Sequence, residues 1–162
     1  MKKMNFLGSG PVIAAASLPW VAVSIFLSSR YHGVFVFSPV RGTFLLTAGI
    51  VLISTGFVLY FLTVPSLLKG LKGGKLVTSG MFYLCRNPLY CSIILFIIPG
   101  LSFLLNSWLV ITTSIVAYIA FKFSIRKEYI EMRDLFGEEY TQYSETTPEF
   151  FPFPFRKLFG RN

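Results

Sequence analysis

The first 127 residues of this 162-residue chain contain no aspartate or glutamate; all seven acidic residues lie between Glu128 and Glu149. Within that acid-free body run four apolar stretches, at about residues 11–29, 43–64, 89–105 and 108–121. A helix that crosses the ~30 Å hydrocarbon core of a bilayer takes roughly 17–25 residues. The first two stretches reach that length comfortably. The last two are short for a span and are expected to insert tilted or shallowly. Composition agrees: 54% of residues are hydrophobic and 14% charged, against about a quarter charged in a soluble domain. Such a chain has too little polar surface to cover itself in water. The expectation is an all-α integral membrane protein of one domain over residues 1–162, with about four transmembrane helices.

Local signals fill in the order. Lys2 and Lys3 precede the first stretch, a pattern that a cleaved signal peptide shares. Its length, Pro19 and the lack of a cleavage signal favour a retained span. Pro65 is expected to close the second span. A polar, Gly-rich loop follows over 66–87, with Lys69, Lys72, Lys75 and Arg86. Only Asn106 and Ser107 separate the third and fourth stretches, which predicts a tight helical hairpin. Residues 125–136 read as a separate amphipathic helix, with Ile125, Tyr129, Met132 and Phe136 at helical spacing. Gly137 is placed to end it. A second short helix carries Tyr140 and Tyr143, and an aromatic and basic tail from Phe150 reads as an interfacial anchor. Basic residues concentrate in the 66–87 loop and after Lys122, so both termini and that loop are expected in the cytoplasm.

Several functions are excluded cheaply. The net charge of +8 is scattered at the ends of apolar runs, which suits an anionic leaflet and not nucleic acid. One histidine is too few for a di-iron or bis-histidine haem site. No glycine-rich nucleotide loop is present. A proton-coupled transporter would want a carboxylate inside a span, and none is there. Cys85 and Cys91 read as a reduced structural pair, without zinc-ligand spacing.

Two segments are left to carry chemistry. In the first, Arg86-Asn87-Pro88-Leu89-Tyr90, Asn87 suits a helix N-cap and Pro88 the first helical position. Arg86 and Tyr90 would then flank a helix start, where free N–H groups attract an anion. The second is the charged run from Arg126 to Tyr140, whose plainest reading is a solvated face with pairs such as Lys127 and Glu131.

Together these segments resemble the isoprenylcysteine carboxyl methyltransferase and phospholipid methyltransferase family. The family pattern has a Gly-aromatic turn, then Arg-His/Asn-Pro-x-Tyr opening a hairpin, then a Glu-bearing helix ending in Phe-Gly-Glu-Glu-Tyr-x-x-Tyr, then a Pro-containing tail. Here these are Gly80 with Phe82 and Tyr83, Arg86 to Tyr90, Glu128, Phe136-Gly137-Glu138-Glu139-Tyr140 with Tyr143, and Pro148 with Pro152. The match covers roughly residues 76–152.

The resemblance implies a cytoplasmic S-adenosylmethionine site between the hairpin and the C-terminal helices. Arg86, Asn87, Pro88, Tyr90 and Glu128 would line it, with Leu76, Tyr83 and Tyr140 as further candidates. A lipophilic acceptor, an isoprenylcysteine-like carboxylate or a lipid head group, would enter from the bilayer. Glu128 and Arg126 are the residues expected nearest the reaction. The sequence departs from the pattern at three places. Asn87 replaces His, Tyr129 replaces the second Glu of a frequent pair, and Ser124 stands where the carboxyl methyltransferases have Arg, leaving Arg126 or Lys122 to substitute. The alternatives are an NADPH-dependent reductase of the sterol-reductase kind, whose closing motif usually has Trp at the place of Tyr140, and a non-catalytic membrane protein or transporter.

Overall fold

A computed structural model of the chain describes residues 8–31, 33–37 and 42–150. His32, the first two lysines and the aromatic tail beyond Phe150 lie outside the described residues. Those described are helical, with no strand: α1 (Gly10–Arg30), α2 (Thr43–Gly73), α3 (Met81–Leu84), α4 (Pro88–Cys91), a π-helical segment (Ser92–Ile97), α5 (Ile98–Leu104) and α6 (Trp108–Thr146). Three of them, α1, α2 and α6, are long and apolar enough to cross a membrane. Only 11% of the most apolar stretch of α1, and of α2, is buried inside the protein. That is the reverse of a water-soluble bundle and fits apolar side chains turned to lipid.

Neighbours in space run α1, α6, the helix Pro88–Leu104, then α2. Polar bonds stitch α1 to α6: Trp20 Nε1 donates to Thr112 Oγ1 at 2.9 Å, and the Ser28 and Ser107 hydroxyls meet at 2.6 Å. Small residues let α2 approach its neighbour. The buried residues of α2 are Gly49, Gly56, Thr63 and Gly70, one every seventh position and so one stripe of the helix. A Cβ on Gly49 would lie 2.9 Å from the Gly100 carbonyl oxygen, and one on Gly100 equally close to the Gly49 oxygen. Close backbone approach through small residues is how membrane helices gain packing where lipid offers no hydrophobic drive.

Pro99 explains the π-helical segment. In an α-helix its ring would clash with the carbonyl four residues back, and it has no N–H to give. The wider π register (i→i+5) moves the missing donor to the Ile94 carbonyl. Ser114 of α6 supplies that bond from its hydroxyl at 2.8 Å.

Two boundaries differ from the sequence expectation. α2 runs through Pro65 to Gly73, since neighbouring helices and hydroxyl side chains compensate a proline inside a membrane helix. α6 likewise has no break after residue 121: the fourth apolar stretch and the 125–136 helix are one rod. The break comes at Gly137, at φ 52° and ψ −124°, a conformation that only glycine adopts cheaply. Residues 138–146 therefore turn away as a short helix carrying Tyr140 and Tyr143, whose rings sit 6.4 Å apart.

Candidate functional site

Where α4 begins, the helices leave a cavity of about 340 Å³, within the range of small-molecule sites. Four parts of the chain wall it: Tyr60, Leu67, Gly70 and Leu71 of α2; Lys75, Leu76 and Val77 of the following turn; Arg86 to Tyr90; and Glu128, Tyr129, Glu131, Met132, Phe136, Tyr140 and Tyr143 of α6. Gly8 and Gly10 at the start of α1 complete it, and Phe82 adds an aromatic face.

Glycine chemistry shapes the α2 side. Gly74 ends α2 in the left-handed conformation at φ 59°, the usual glycine cap. The chain then folds back across Gly70, where a Cβ would collide with the Val77 side chain. This return brings Leu76 and Lys75 to the cavity.

The Arg86 side is held by a strap. The carbonyls of Pro148, Glu149 and Phe150 accept in turn from the Arg86 backbone N–H at 2.9 Å, from Asn87 Nδ2 at 2.8 Å, and from the Cys91 thiol. Lys122 pins the strap from α6, with its Nζ 2.5 Å from Glu149 Oε2. Asn87 does occupy the N-cap position and Pro88 the first turn, but the Asn87 side chain makes no cap bond. Its amide instead donates to the strap and to Tyr129 Oη at 2.6 Å. The two cysteines are free thiols with sulfurs 3.6 Å apart.

The Arg86 guanidinium lies 4.9 Å over the Tyr129 ring, a cation–π contact. Its Nε is buried and has no hydrogen-bond partner among the described residues, and the same holds for Tyr140 Oη. Tyr140 is 4% exposed. It lies beyond the Gly137 kink and outside the apolar stretch of α6, and burial pushes its phenol pKa up. The Arg86 guanidinium acts on the same hydroxyl in the opposite direction, as a neighbouring charge and donor. A buried unpaired polar group costs about 1–3 kcal/mol, and both residues line the cavity. Glu128 presents the opposite charge; its Oε1 accepts from the Ser9 backbone N–H and, at 3.4 Å, from the Tyr90 hydroxyl.

Of the residues singled out from sequence, Leu76, Arg86, Asn87, Pro88, Tyr90, Glu128 and Tyr140 line this one cavity. Tyr83 and Arg126 do not. Tyr83 is 51% exposed, and in the four-residue α3 it is the adjacent Phe82 that faces inward. Arg126 precedes Glu128 by two positions, about 200° around a helix, and is exposed on the other side of α6. Ser124 only bonds its own helix, to the Ala120 carbonyl at 2.8 Å. Sequence reasoning missed the α2 wall, although Tyr60, Leu67 and Leu71 share one helical face. It also passed over Glu131, Met132 and Phe136, which follow Glu128 at helical spacing. Among the described residues no three His, Cys, Asp or Glu converge on a metal site. Neither protein-family models, nor curated proteins, nor solved structures yield a match to the chain.

Proposed function

We propose that the chain is a multi-pass membrane methyltransferase that takes S-adenosylmethionine into this cavity and methylates a lipophilic acceptor. One observation carries the reading: Arg86, Tyr140 and Glu128, two donors and a carboxylate, line one cavity. S-adenosylmethionine is a small zwitterion bearing a carboxylate, an ammonium and a sulfonium. Arg86 and Tyr140 are donors for the carboxylate, and Arg86 supplies the charge that makes such bonds strong. Glu128 offers its carboxylate to the cations. Tyr60, Phe82 and Phe136 give apolar faces for the adenosine part and exclude water. When bound, the cofactor supplies a methyl group activated on sulfur, transferred by displacement at carbon. The protein's share is alignment and desolvation. Arg126 faces away and Lys122 is paired with Glu149, so neither is free to hold an acceptor carboxylate. This favours a lipid head group.

The same reading has four crossings: α1, α2, the helix Pro88–Leu104, about 25 Å long at 1.5 Å per residue, and the apolar part of α6. The last two form a hairpin. The termini and the cavity face the cytoplasm, on the side where Lys69, Lys72, Lys75, Lys127 and Arg133 concentrate.

The test is binding by the purified protein in lipid nanodiscs. S-adenosylmethionine and its demethylated product are expected to raise the melting temperature, and lipid extracts from cells making the protein should gain a species heavier by one methyl group. Stabilisation by NADPH alone would move the reading to a reductase. No response to either compound would leave a non-catalytic membrane protein.

A further inference from the structure

The amino end of α1 touches the one acidic group that the reading above gives to the cofactor's cations, although α1 otherwise packs along the apolar part of α6. Gly8 stands at φ 47°, and a Cβ there would lie 2.7 Å from Glu128 Oε1. Only glycine lets the chain pass so close. The next residue, Ser9, donates its backbone N–H to that same oxygen. Ser9 caps α1, so its amide is among the free donors at the positive end of the helix dipole. Tyr90, on α4, holds Oε1 from the other side at 3.4 Å. The carboxylate is thus held between two helices that are far apart in the chain, and Gly8, Gly10, Tyr90 and Glu128 all line the cavity.

We infer that the amino end of α1 is a positioning element of the site, which aims the Glu128 carboxylate into the cavity through the Ser9 amide. The inference rests on the reading of the cavity as an S-adenosylmethionine site. It makes the first span part of the binding machinery. A backbone amide and a helix dipole orient the carboxylate without neutralising it, so its charge is kept for a cation. A lysine or arginine in the same place would have cancelled it.

The experiment uses the full chain in nanodiscs and two measurements. The first is hydrogen exchange at the opening turn of α1 without added compound. Gly8→Ala and Glu128→Ala should each speed exchange there by roughly 10–150-fold, the order expected for losing one charge-assisted hydrogen bond, and the double variant should add nothing further. Unchanged exchange in both would overturn the contact. The second is the ratio of affinities for S-adenosylmethionine, which carries the sulfonium charge, and its neutral-sulfur product. Glu128→Gln should lower this ratio, and Gly8→Ala and Ser9→Pro, which deletes the N–H, should lower it to the same degree. Ser9→Ala, which keeps the N–H, should preserve it. A merely structural role would weaken both compounds equally. If Glu128→Gln lowers the ratio while Gly8→Ala and Ser9→Pro leave it at the wild-type value, the inference falls and the cavity reading stands. Wild-type protein that binds neither compound overturns the cavity reading and the inference with it.

Discussion

Replacing Arg86 by methionine separates a ligand-binding role from a structural one, because the structure sets the two effects at different sizes. On the stability side the substitution removes the guanidinium 4.9 Å above Tyr129, a contact worth about 0.5–2 kcal/mol. It also removes a buried Nε without a partner, whose burial costs about 1–3 kcal/mol. These terms oppose each other and leave a net change between a loss of about 1 and a gain of about 2.5 kcal/mol. The Arg86 backbone N–H keeps its bond to Pro148, so the strap stays in place. The melting temperature should fall by no more than about 2–4 °C. On the binding side, a hydrogen bond to a charged group contributes about 1.5–3 kcal/mol, and each 1.4 kcal/mol is about tenfold. The affinity for S-adenosylmethionine should therefore fall roughly 10–150-fold. Calorimetric titration and thermal unfolding on the same nanodisc preparation read both numbers. A melting temperature lowered by more than about 8 °C with unchanged affinity would refute the argument and make Arg86 a packing residue.

Three further outcomes follow from individual contacts. Tyr140→Phe removes a buried hydroxyl without a geometric partner among the described residues, so it should not lower the melting temperature, and it should weaken S-adenosylmethionine by roughly 10–150-fold, the worth of a hydrogen bond to a charged group; titration and thermal unfolding check it. Asn87→Ala takes the Nδ2 donor from both Tyr129 and the Glu149 carbonyl and should cost about 2–4 kcal/mol of stability. Asn87→Asp should do no better, since a carboxylate would face that carbonyl; thermal unfolding reads both. Gly137→Ala forces a side chain onto φ 52°, at a cost of about 1–2 kcal/mol. Because Tyr140 and Tyr143 reach the cavity only through that bend, it should also weaken binding, whereas a surface change such as Glu138→Ala should do neither.

The helical membrane character was legible because one property, the absence of acids before Glu128, acts over the whole length of each apolar run. The bend at Gly137 was legible because glycine beside a periodic helix has few other uses. The boundaries at Pro65 and Lys122 were misread for one physical reason. A proline or a charge ends a helix in water, but in a chain packed against neighbouring helices the backbone bonds continue through it. The close approach of α2 was written in the sequence as Gly49, Gly56, Thr63 and Gly70, every seventh residue. It becomes readable only once a partner such as Gly100 is known, since a stripe of small residues does not say what it faces. The π-helical segment shows the same limit. Pro99 announces a defect, while its repair by Ser114 comes from another helix.

The site was legible to a different depth at each residue. Arg86 to Tyr90 are consecutive, so one turn of helix start delivers them together. Glu128 and Tyr140 had to be brought there by a rod and a kink. The two places where the chain departs from the pattern it resembles within the cavity are Asn87, in place of His, and Tyr129, in place of Glu. Taken alone, Tyr129 weakens the resemblance, while Asn87 is one of the two residues the pattern takes at its place. In the structure they meet: Asn87 Nδ2 donates to Tyr129 Oη at 2.6 Å, and the Tyr129 ring lies under Arg86. A glutamate at 129 would offer Arg86 a carboxylate and leave its guanidinium paired within the protein. A tyrosine there offers only a ring face, and the buried Nε stays unpaired. The two departures are thus one linked change, with the consequence that the Arg86 guanidinium meets a ring face at 129 and not a carboxylate. That is the physical content of the site, and it follows from two residues 42 positions apart whose partnership no local pattern displays.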